Sequence, residues 1–298
     1  MQHTLTRCQF DIMDALSSGT SVTEKDLPAL LTDYMPEELR RAVQELEQKG
    51  YIENGHITSA GYNGLEPYRV RRAVFIAAGF GTRLVPVTLN TPKPLVRVNG
   101  KRIIDGLIDA VLAAGIEDIV IVRGYLAEQF DQLLYKYPMI KFMENPAYNE
   151  TNNISSAMCA RYLFQNAYVF EADLLIHRPE LIRKYQYTSN FLGYHRDRSD
   201  DWCFEVRDRV IVSHKIGGTD CYQEFGISYW DEDSGRKLAD HIKRAYEMPG
   251  GKEMFWTQVP LSVFPEEYRV EVRECREEDI TEIDTFRELK AIDKTYDV

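Results

Sequence analysis

From Arg72 onward, short apolar runs of strand length alternate with stretches of helical periodicity. That alternation restricts the chain to a mostly parallel sheet covered by helices on both faces. Ala73-Val74-Phe75-Ile76 is a strand that runs into Ala77-Ala78-Gly79. Residues 103–114 follow a helical pattern closed by Gly115. Residues 117–124 read as a buried strand, 128–137 as an amphipathic helix and 140–146 as a strand. Residues 155–165 then read as a helix and 167–176 as a strand. Sheets of this kind bind ligands at the carboxyl ends of their strands.

The preceding 70 residues have a different grammar. Phe10, Ile12, Met13, Ala15 and Leu16 give one helical pattern, ending at Ser17-Ser18-Gly19. Thr23, three residues before Asp26, is a loose capping arrangement for a second short helix. Pro36 suits the first turn of a third helix, carried on by Leu39, Val43 and Leu46 and stopped at Gly50. Asn54-Gly55 between two short polar-apolar runs is a type I′ hairpin signal. Three helices and a hairpin resemble a winged-helix domain. The expected division is therefore residues 1–70 and 71–298, with the boundary near Glu66-Pro67-Tyr68. Within residues 1–70, six basic side chains face eleven acidic ones, and the third helix carries four Glu against two Arg and one Lys. Repulsion from phosphates makes DNA an unfavoured partner and points to a regulatory, dimerisation or docking module.

The chemistry-bearing stretch begins at the end of the first strand of the second segment. In Ala77-Ala78-Gly79-Phe80-Gly81-Thr82-Arg83, two glycines let the backbone turn tightly and aim N–H groups at phosphates. Thr82 adds a hydroxyl and Arg83 a forked cation. No Gly-Lys-Ser/Thr follows, so this is not a Walker loop, and Leu84 stands where a dinucleotide fingerprint needs its third glycine. The stretch continues to Thr91-Pro92-Lys93-Pro94-Leu95, where two prolines stiffen the backbone around one lysine. A lone lysine in a proline-rich turn is ordinarily solvated; beside the glycine turn it reads as a charge placed for chemistry.

Residues 77–95 (AAGFGTRLVPVTLNTPKPL) resemble the signature of the sugar-phosphate nucleotidyltransferase superfamily, and the resemblance runs from about residue 72 to the C-terminus. It implies a Rossmann-like nucleotidyltransferase sheet flanked by helices. It also implies transfer of a nucleotidyl group from a nucleoside triphosphate to a phosphate-bearing acceptor, releasing pyrophosphate. By that resemblance Ala77, Ala78, Gly79, Gly81 and Thr82 cradle the nucleotide. Arg83 grips the leaving pyrophosphate, and Lys93 neutralises charge where acceptor and α-phosphate meet. Asp173, at the carboxyl end of its strand, and Asp284, in Glu282-Ile283-Asp284, would hold Mg2+ through hard carboxylate oxygens. The turn Asn152 to Ser156 is a natural helix N-cap; the resemblance adds Asn153 and Ser155 as base-pocket residues. Gln129 is by default a helix-surface residue and, by resemblance, a base or loop contact.

The order of features further along (GYLAEQF, NNISS, EADLL, DDWCFEV, GISYWD, FW, EID) resembles the bacterial CTP:phosphocholine cytidylyltransferases. The N-terminal extension and Phe75, where Leu or Ile is usual, depart from that pattern. The resemblance implies CTP and phosphocholine as substrates. Aromatic faces with nearby carboxylates suit a quaternary ammonium. Trp202 and Trp256 are the expected choline box, supported by Tyr229 or Trp230, with Asp200, Asp201 and Glu282 as carboxylate candidates. A sugar 1-phosphate or an aminoalkyl phosphonate is the alternative acceptor. A nucleotide-sensing transcriptional regulator is the alternative of another class, which intact Arg83, Lys93, Asp173 and Asp284 argue against. A choline kinase supplying the substrate is a possible partner, as a separate chain or as a domain outside this sequence.

Bulk properties fit this reading. A formal charge of −11 disfavours a general polyanion binder. Five singly placed cysteines suit a reducing compartment. No stretch approaches the roughly 20 apolar residues of a membrane span, and the N-terminus lacks a signal-peptide layout. The expected location is the cytoplasm.

Overall fold

The computed structural model describes residues 4–17 and 24–297. The expected Thr23 cap lies outside the described residues. The chain divides into two compact units, residues 1–69 with 185–187, and residues 70–184 with 188–298. The return of Tyr185–Tyr187 to the first unit is a feature that a linear division at residue 70 misses.

In the first unit, α1 (Arg7–Ser17), α2 (Leu27–Leu30) and α3 (Pro36–Gln48) precede the two-stranded hairpin β1 (Ile52–Glu53) and β2 (His56–Ile57), and α4 (Ser59–Leu65) follows. Helix α1 buries Phe10, Ile12, Met13 and Leu16, and α3 buries Leu39, Ala42, Val43 and Leu46. Asn54 and Gly55 both take positive φ, as a type I′ turn requires. Tyr187 stacks on Tyr68 with ring centroids 5.7 Å apart and tilts against Phe10 at 5.4 Å.

The second unit contains β3 (Arg72–Ile76), β4 (Arg97–Val98), β5 (Lys101–Arg102), α5 (Ile103–Ala113), β6 (Asp118–Arg123) and β7 (Lys141–Glu144). There follow α6 (Ile154–Ala160), β8 (Ala167–Glu171), β9 (Leu174–Ile176), β10 (Asn190–Arg207), β11 (Val210–Trp230), α7 (Glu232–Glu247), β12 (Glu271–Glu274), β13 (Ile280–Glu282) and α8 (Phe286–Ile292). A seven-stranded sheet runs in the order β10-β12-β11-β8-β3-β6-β7. Strands β8, β3, β6 and β7 are mutually parallel, and β10 is parallel to β12. Strand β11 runs antiparallel to β8. The fold is a mostly parallel α/β sheet flanked by helices.

Strand β3 shows why its sequence is apolar throughout. Ala73 and Phe75 enter the core on one face with α5, whereas Val74 and Ile76 enter the core on the other face with α6 and α7. A strand buried on both faces loses the polar-apolar alternation of a half-exposed one. Phe75 stacks on Phe170 of the neighbouring strand at 4.7 Å, which accounts for the larger side chain there.

Two expectations are refined. The 128–137 segment is a 3-10 helix from Ala127 to Tyr135 rather than an α-helix, with Leu126 before it in the left-handed region. The 167–176 strand is broken at Ala172-Asp173 into β8 and β9, and β9 turns away to pair with β13. Among the described residues no helix is long and apolar enough to cross a membrane.

Candidate active site

A cavity of about 520 Å3 opens at the carboxyl ends of β3 and β8. Residues Ala77 to Leu84 form one wall, with Ala77, Ala78, Gly79, Gly81, Thr82 and Arg83 all lining it. The turn is held from behind. Ala77 N–H donates to Val122 O at 2.9 Å, and Tyr125 N–H donates to Ala78 O at 3.1 Å. Thr88 Oγ1 donates to Gly81 O at 2.8 Å. Gly81 has φ +62°, and a Cβ there would stand 2.9 Å from Lys93 Cβ and 3.1 Å from Thr88 Cγ2. Glycine is therefore required twice over, by the left-handed backbone and by the approach of the lysine. A Cβ on Gly79 would meet open space.

Lys93 lies only 8% exposed between two carboxylates. Its Nζ donates to Asp173 Oδ2 at 2.8 Å and to Asp284 Oδ1 at 3.1 Å. Burial pulls the ammonium's pKa down, but the charges and hydrogen bonds of Asp173 and Asp284 outweigh it and leave it above the ordinary lysine value. Arg83 Nη2 donates to the same Asp284 Oδ1 at 2.6 Å.

The break after β8 puts Asp173 in a turn at the strand's end. The pairing of β9 with β13 then brings Asp284 beside it, with Ile283 N–H donating to Asp173 O at 3.4 Å. Asp284 is fixed by the start of α8, since Glu288 Oε2 accepts from the N–H groups of both Asp284 and Thr285 at 2.8 Å. Leu84, Val96, Ile103, Ile283 and Leu289 form a small core that ties this C-terminal segment to the glycine turn.

Oxygens of Asp173, Glu282 and Asp284 converge within 4.8 Å of one another. Asp173 Oδ1 is buried without a hydrogen-bond partner. Three hard oxygen donors, one of them unsatisfied, can accept a divalent cation such as magnesium. Burial and the neighbouring carboxylates push Glu171 up to about 8, against the pull of Lys93. The same causes, burial first, push Glu282 well above the ordinary glutamate range.

The opposite wall is the turn before α6. Asn153 and Ser155 line the cavity as expected. Asn153 Nδ2 donates to Glu171 Oε1 at 3.2 Å while its Oδ1 accepts from Trp256 N–H at 2.9 Å. Asn145, at the end of β7, donates to Ser155 Oγ at 2.8 Å and to Ser156 Oγ at 3.0 Å. Sequence reasoning missed Asn145; its position at a strand's carboxyl end was the available signal. Gln129 does not line the cavity; of the base and loop contacts expected for it, the structure shows the loop one, with Nε2 donating to Asn90 O at 2.7 Å.

The expected aromatic box is corrected more deeply. Tyr229, Trp230 and Trp256 are 1%, 0% and 1% exposed and belong to the core. Tyr229 OH donates to Asn166 Oδ1 at 3.3 Å, and Trp230 Nε1 donates to Ser228 Oγ at 3.0 Å. Trp256 packs edge-on against Phe164 and Trp230 at 5.5 and 6.0 Å. Tyr229 and Trp230 are neighbours on β11, so they enter cores on opposite faces. Trp202 alone of the four lines the cavity, with Phe255 edge-on to it at 5.9 Å. Of the carboxylates weighed for an ammonium, Asp201 lines the cavity, Glu282 sits with the two aspartates, and Asp200 lies outside it, paired with Arg198 at 3.3 Å. Glu224, which no local motif marks, also lines it.

Comparison with known proteins gives concordant results. A family model described as nucleotidyl transferase matches residues 72–207. The 2-aminoethylphosphonate cytidylyltransferase of Lancefieldella rimae is 36% identical over 232 residues, spanning 75% of this chain and 92% of that protein. The choline-phosphate cytidylyltransferase of Streptococcus pneumoniae is 32% identical over 229 residues, spanning 75% of this chain and 97% of that one. Among solved structures, the CTP:phosphocholine cytidylyltransferase from Streptococcus pneumoniae (LicC) superposes with a TM-score of 0.69 at 30% identity, covering 76% of this chain and 99% of its own.

Proposed function

The chain belongs to the nucleotidyl transferase family, among its cytidylyltransferases, and from that premise we propose that it transfers the cytidylyl group of CTP to a small phosphonate or phosphate bearing an ammonium. The acceptor the cavity suits best is 2-aminoethylphosphonate. The observation that carries this choice is the composition of the cavity wall. Three of the four expected box aromatics lie in the core, whereas the side chains of Asp201 and Glu224 line the cavity beyond the cluster of Asp173, Glu282 and Asp284. A primary ammonium has three N–H donors that need such acceptors; a trimethylammonium has none.

Phosphoryl-type transfer asks the protein for in-line positioning and charge neutralisation. Backbone N–H groups of the turn from Gly79 to Thr82 would hold the triphosphate. Asp173 and Asp284, with Glu282 beside them, fit a magnesium ion by their oxygen chemistry and by the unsatisfied Asp173 Oδ1. Such an ion supplies neutralisation of charge developing on the α-phosphate. The ion pairs then exchange partners. Lys93 and Arg83 turn from the aspartates to phosphate oxygens, Lys93 toward the reacting phosphorus and Arg83 toward the departing pyrophosphate. The acceptor's phosphonate oxygen attacks the α-phosphorus, and the bond to the bridging oxygen of pyrophosphate breaks.

A second acceptor, phosphocholine, is favoured by one observation, the edge-on pair of Trp202 and Phe255 in the cavity wall. Both readings are tested by purified chain with CTP and magnesium, scoring pyrophosphate release against 2-aminoethylphosphonate, phosphocholine and a sugar 1-phosphate. Turnover restricted to the sugar 1-phosphate, or none at all, would sink both. A kcat/KM at least tenfold higher for phosphocholine than for the aminophosphonate would select the second.

A further inference from the structure

Glu224 reaches the cavity from β11, a strand that follows both edges of β10: Phe204 pairs with His214 on one side and Tyr222 on the other. That path folds two distant parts of β11 together. The His214 ring, with no exposed side-chain surface, meets Glu224 Oε2 through Nε2 at 2.8 Å. A carboxylate can only accept, so Nε2 carries the proton and donates it. The other ring nitrogen, Nδ1, is buried and has no hydrogen-bond partner. Among the described residues, the ring's one hydrogen bond is therefore that to Glu224. One ring face stacks on Trp202 at 4.5 Å and 28°. Trp202 and His214 are diagonal neighbours across the strand pair, since Trp202 is opposite Ile216.

A buried imidazole with an unsatisfied nitrogen is a poor core residue; an apolar side chain would pack there without an orphaned lone pair. Its hydrogen bond and its closest ring stacking, however, go to two residues that line the cavity, one anionic and one aromatic, while Phe204 tilts against the ring at 5.5 Å. Register places them relative to the reacting groups. Ile227 pairs with Phe170, Gly226 packs against Glu171, and Glu224, two residues further along β11, lines the same cavity. Gly226 permits this crowding, because a Cβ on it would stand 2.7 Å from Glu171 Cβ.

We propose that Glu224 is the carboxylate that meets the acceptor's ammonium beside the expected aromatic face of Trp202, and that His214 is the positioning residue that holds Glu224. This rests on the reading that the acceptor carries an ammonium. It adds which carboxylate meets the ammonium and why a histidine is buried beside it. Glu224 accepts from the ammonium with the oxygen lone pairs that His214 leaves free. His214 holds the carboxylate in place through its hydrogen bond, and its ring stacks on the indole.

The experiment uses the full chain with CTP, magnesium and three acceptors: 2-aminoethylphosphonate, phosphocholine and ethylphosphonate, which lacks the amine. Glu224→Gln is expected to raise the KM for 2-aminoethylphosphonate about 10–100-fold, to raise that for phosphocholine less, and to leave ethylphosphonate as in the unaltered protein. The KM for CTP stays within about twofold, which also establishes that the variant is folded. His214→Phe keeps the stacking and removes the donor; it is expected to raise the aminophosphonate KM about tenfold with kcat little changed, and His214→Gln to recover part of the loss. An unaltered protein that ignores both ammonium acceptors overturns the acceptor reading, and the subsite with it. An unaltered protein that uses them, with Glu224→Gln keeping its preference for the amine over ethylphosphonate, overturns the subsite alone. Should His214→Phe fail to fold, Glu224→Gln and His214→Gln decide.

Discussion

Gly81 and Lys93 approach so closely that a single methyl group on the glycine would stand 2.9 Å from the lysine's Cβ. The two belong to separate turns, and their contact makes the glycine turn and the lysine turn one rigid piece. Gly81→Ala meets both this contact and a left-handed backbone, which together cost about 1–3 kcal/mol or more. The lysine shifts, and a misplacement of about 1 Å lowers kcat/KM by about 100-fold. Thermal melts and steady-state kinetics on the variant check both parts; a lower Tm with intact kcat/KM would show that the contact is only structural.

Lys93→Met removes the cation that lies between Asp173 and Asp284. Turnover is expected to fall by about 100- to 1000-fold. The two carboxylates, no longer bridged, repel one another in the free protein, so the variant melts below the unaltered chain. Magnesium held by the aspartates would replace the missing charge, so it is expected to raise the variant's Tm more than that of the unaltered protein. Equal magnesium shifts in the two proteins would remove the aspartates from the metal's ligand set.

The tryptophans separate into two classes. Trp230→Ala and Trp256→Ala empty fully packed sites and are expected to cost about 3–5 kcal/mol each, with no selective effect on the acceptor KM of whatever protein remains folded. Trp202→Ala is expected to leave Tm nearly unchanged and to raise the acceptor KM, more for a trimethylammonium than for a primary ammonium. Denaturant unfolding and acceptor titrations measure the two effects separately.

Burial, with smaller contributions from nearby carboxylates, pushes the Cys8 thiol up to about 11 and the Cys275 thiol up to about 12. Only the thiolate reacts with disulfide reagents. At pH 8 these two cysteines are expected to react at least about 1000-fold more slowly in the folded protein than their thiolates would, and about tenfold faster for each unit of pH increase. All five cysteines are free, so unfolding should release five equivalents. Labelling followed by peptide mass mapping checks this, and prompt modification of Cys8 or Cys275 in the folded chain contradicts it.

The reach of sequence reasoning follows from what fixes each residue. Gly79, Gly81 and Lys93 were legible because backbone turning and proline stiffening are local, and the structure brings them to one cavity. Asp173 and Asp284 were legible as strand-end carboxylates, although their convergence depends on β9 leaving the sheet to meet β13. Tyr229 and Trp230 were misplaced because an aromatic residue near a candidate site carries no mark of which face covers it; β11 lies between β8 and β12 with a core on either side. Glu224 and His214, ten residues apart on one strand, were invisible because only the double pairing of β10 brings their side chains together. Gln129 was drawn to the site by its neighbours in sequence, whereas its amide holds the loop at Asn90.

The ion pairs to Asp284 span most of the chain: Lys93 meets it across 191 positions and Arg83 across 201. During synthesis on the ribosome the glycine turn, the lysine and Asp173 emerge long before Asp284. A nascent polypeptide that has folded its central strands still lacks one of the two aspartates, and Lys93 has only Asp173 to hold. A polypeptide cut short before β13 would keep the strands of its central sheet and leave Lys93 and Arg83 without their shared carboxylate.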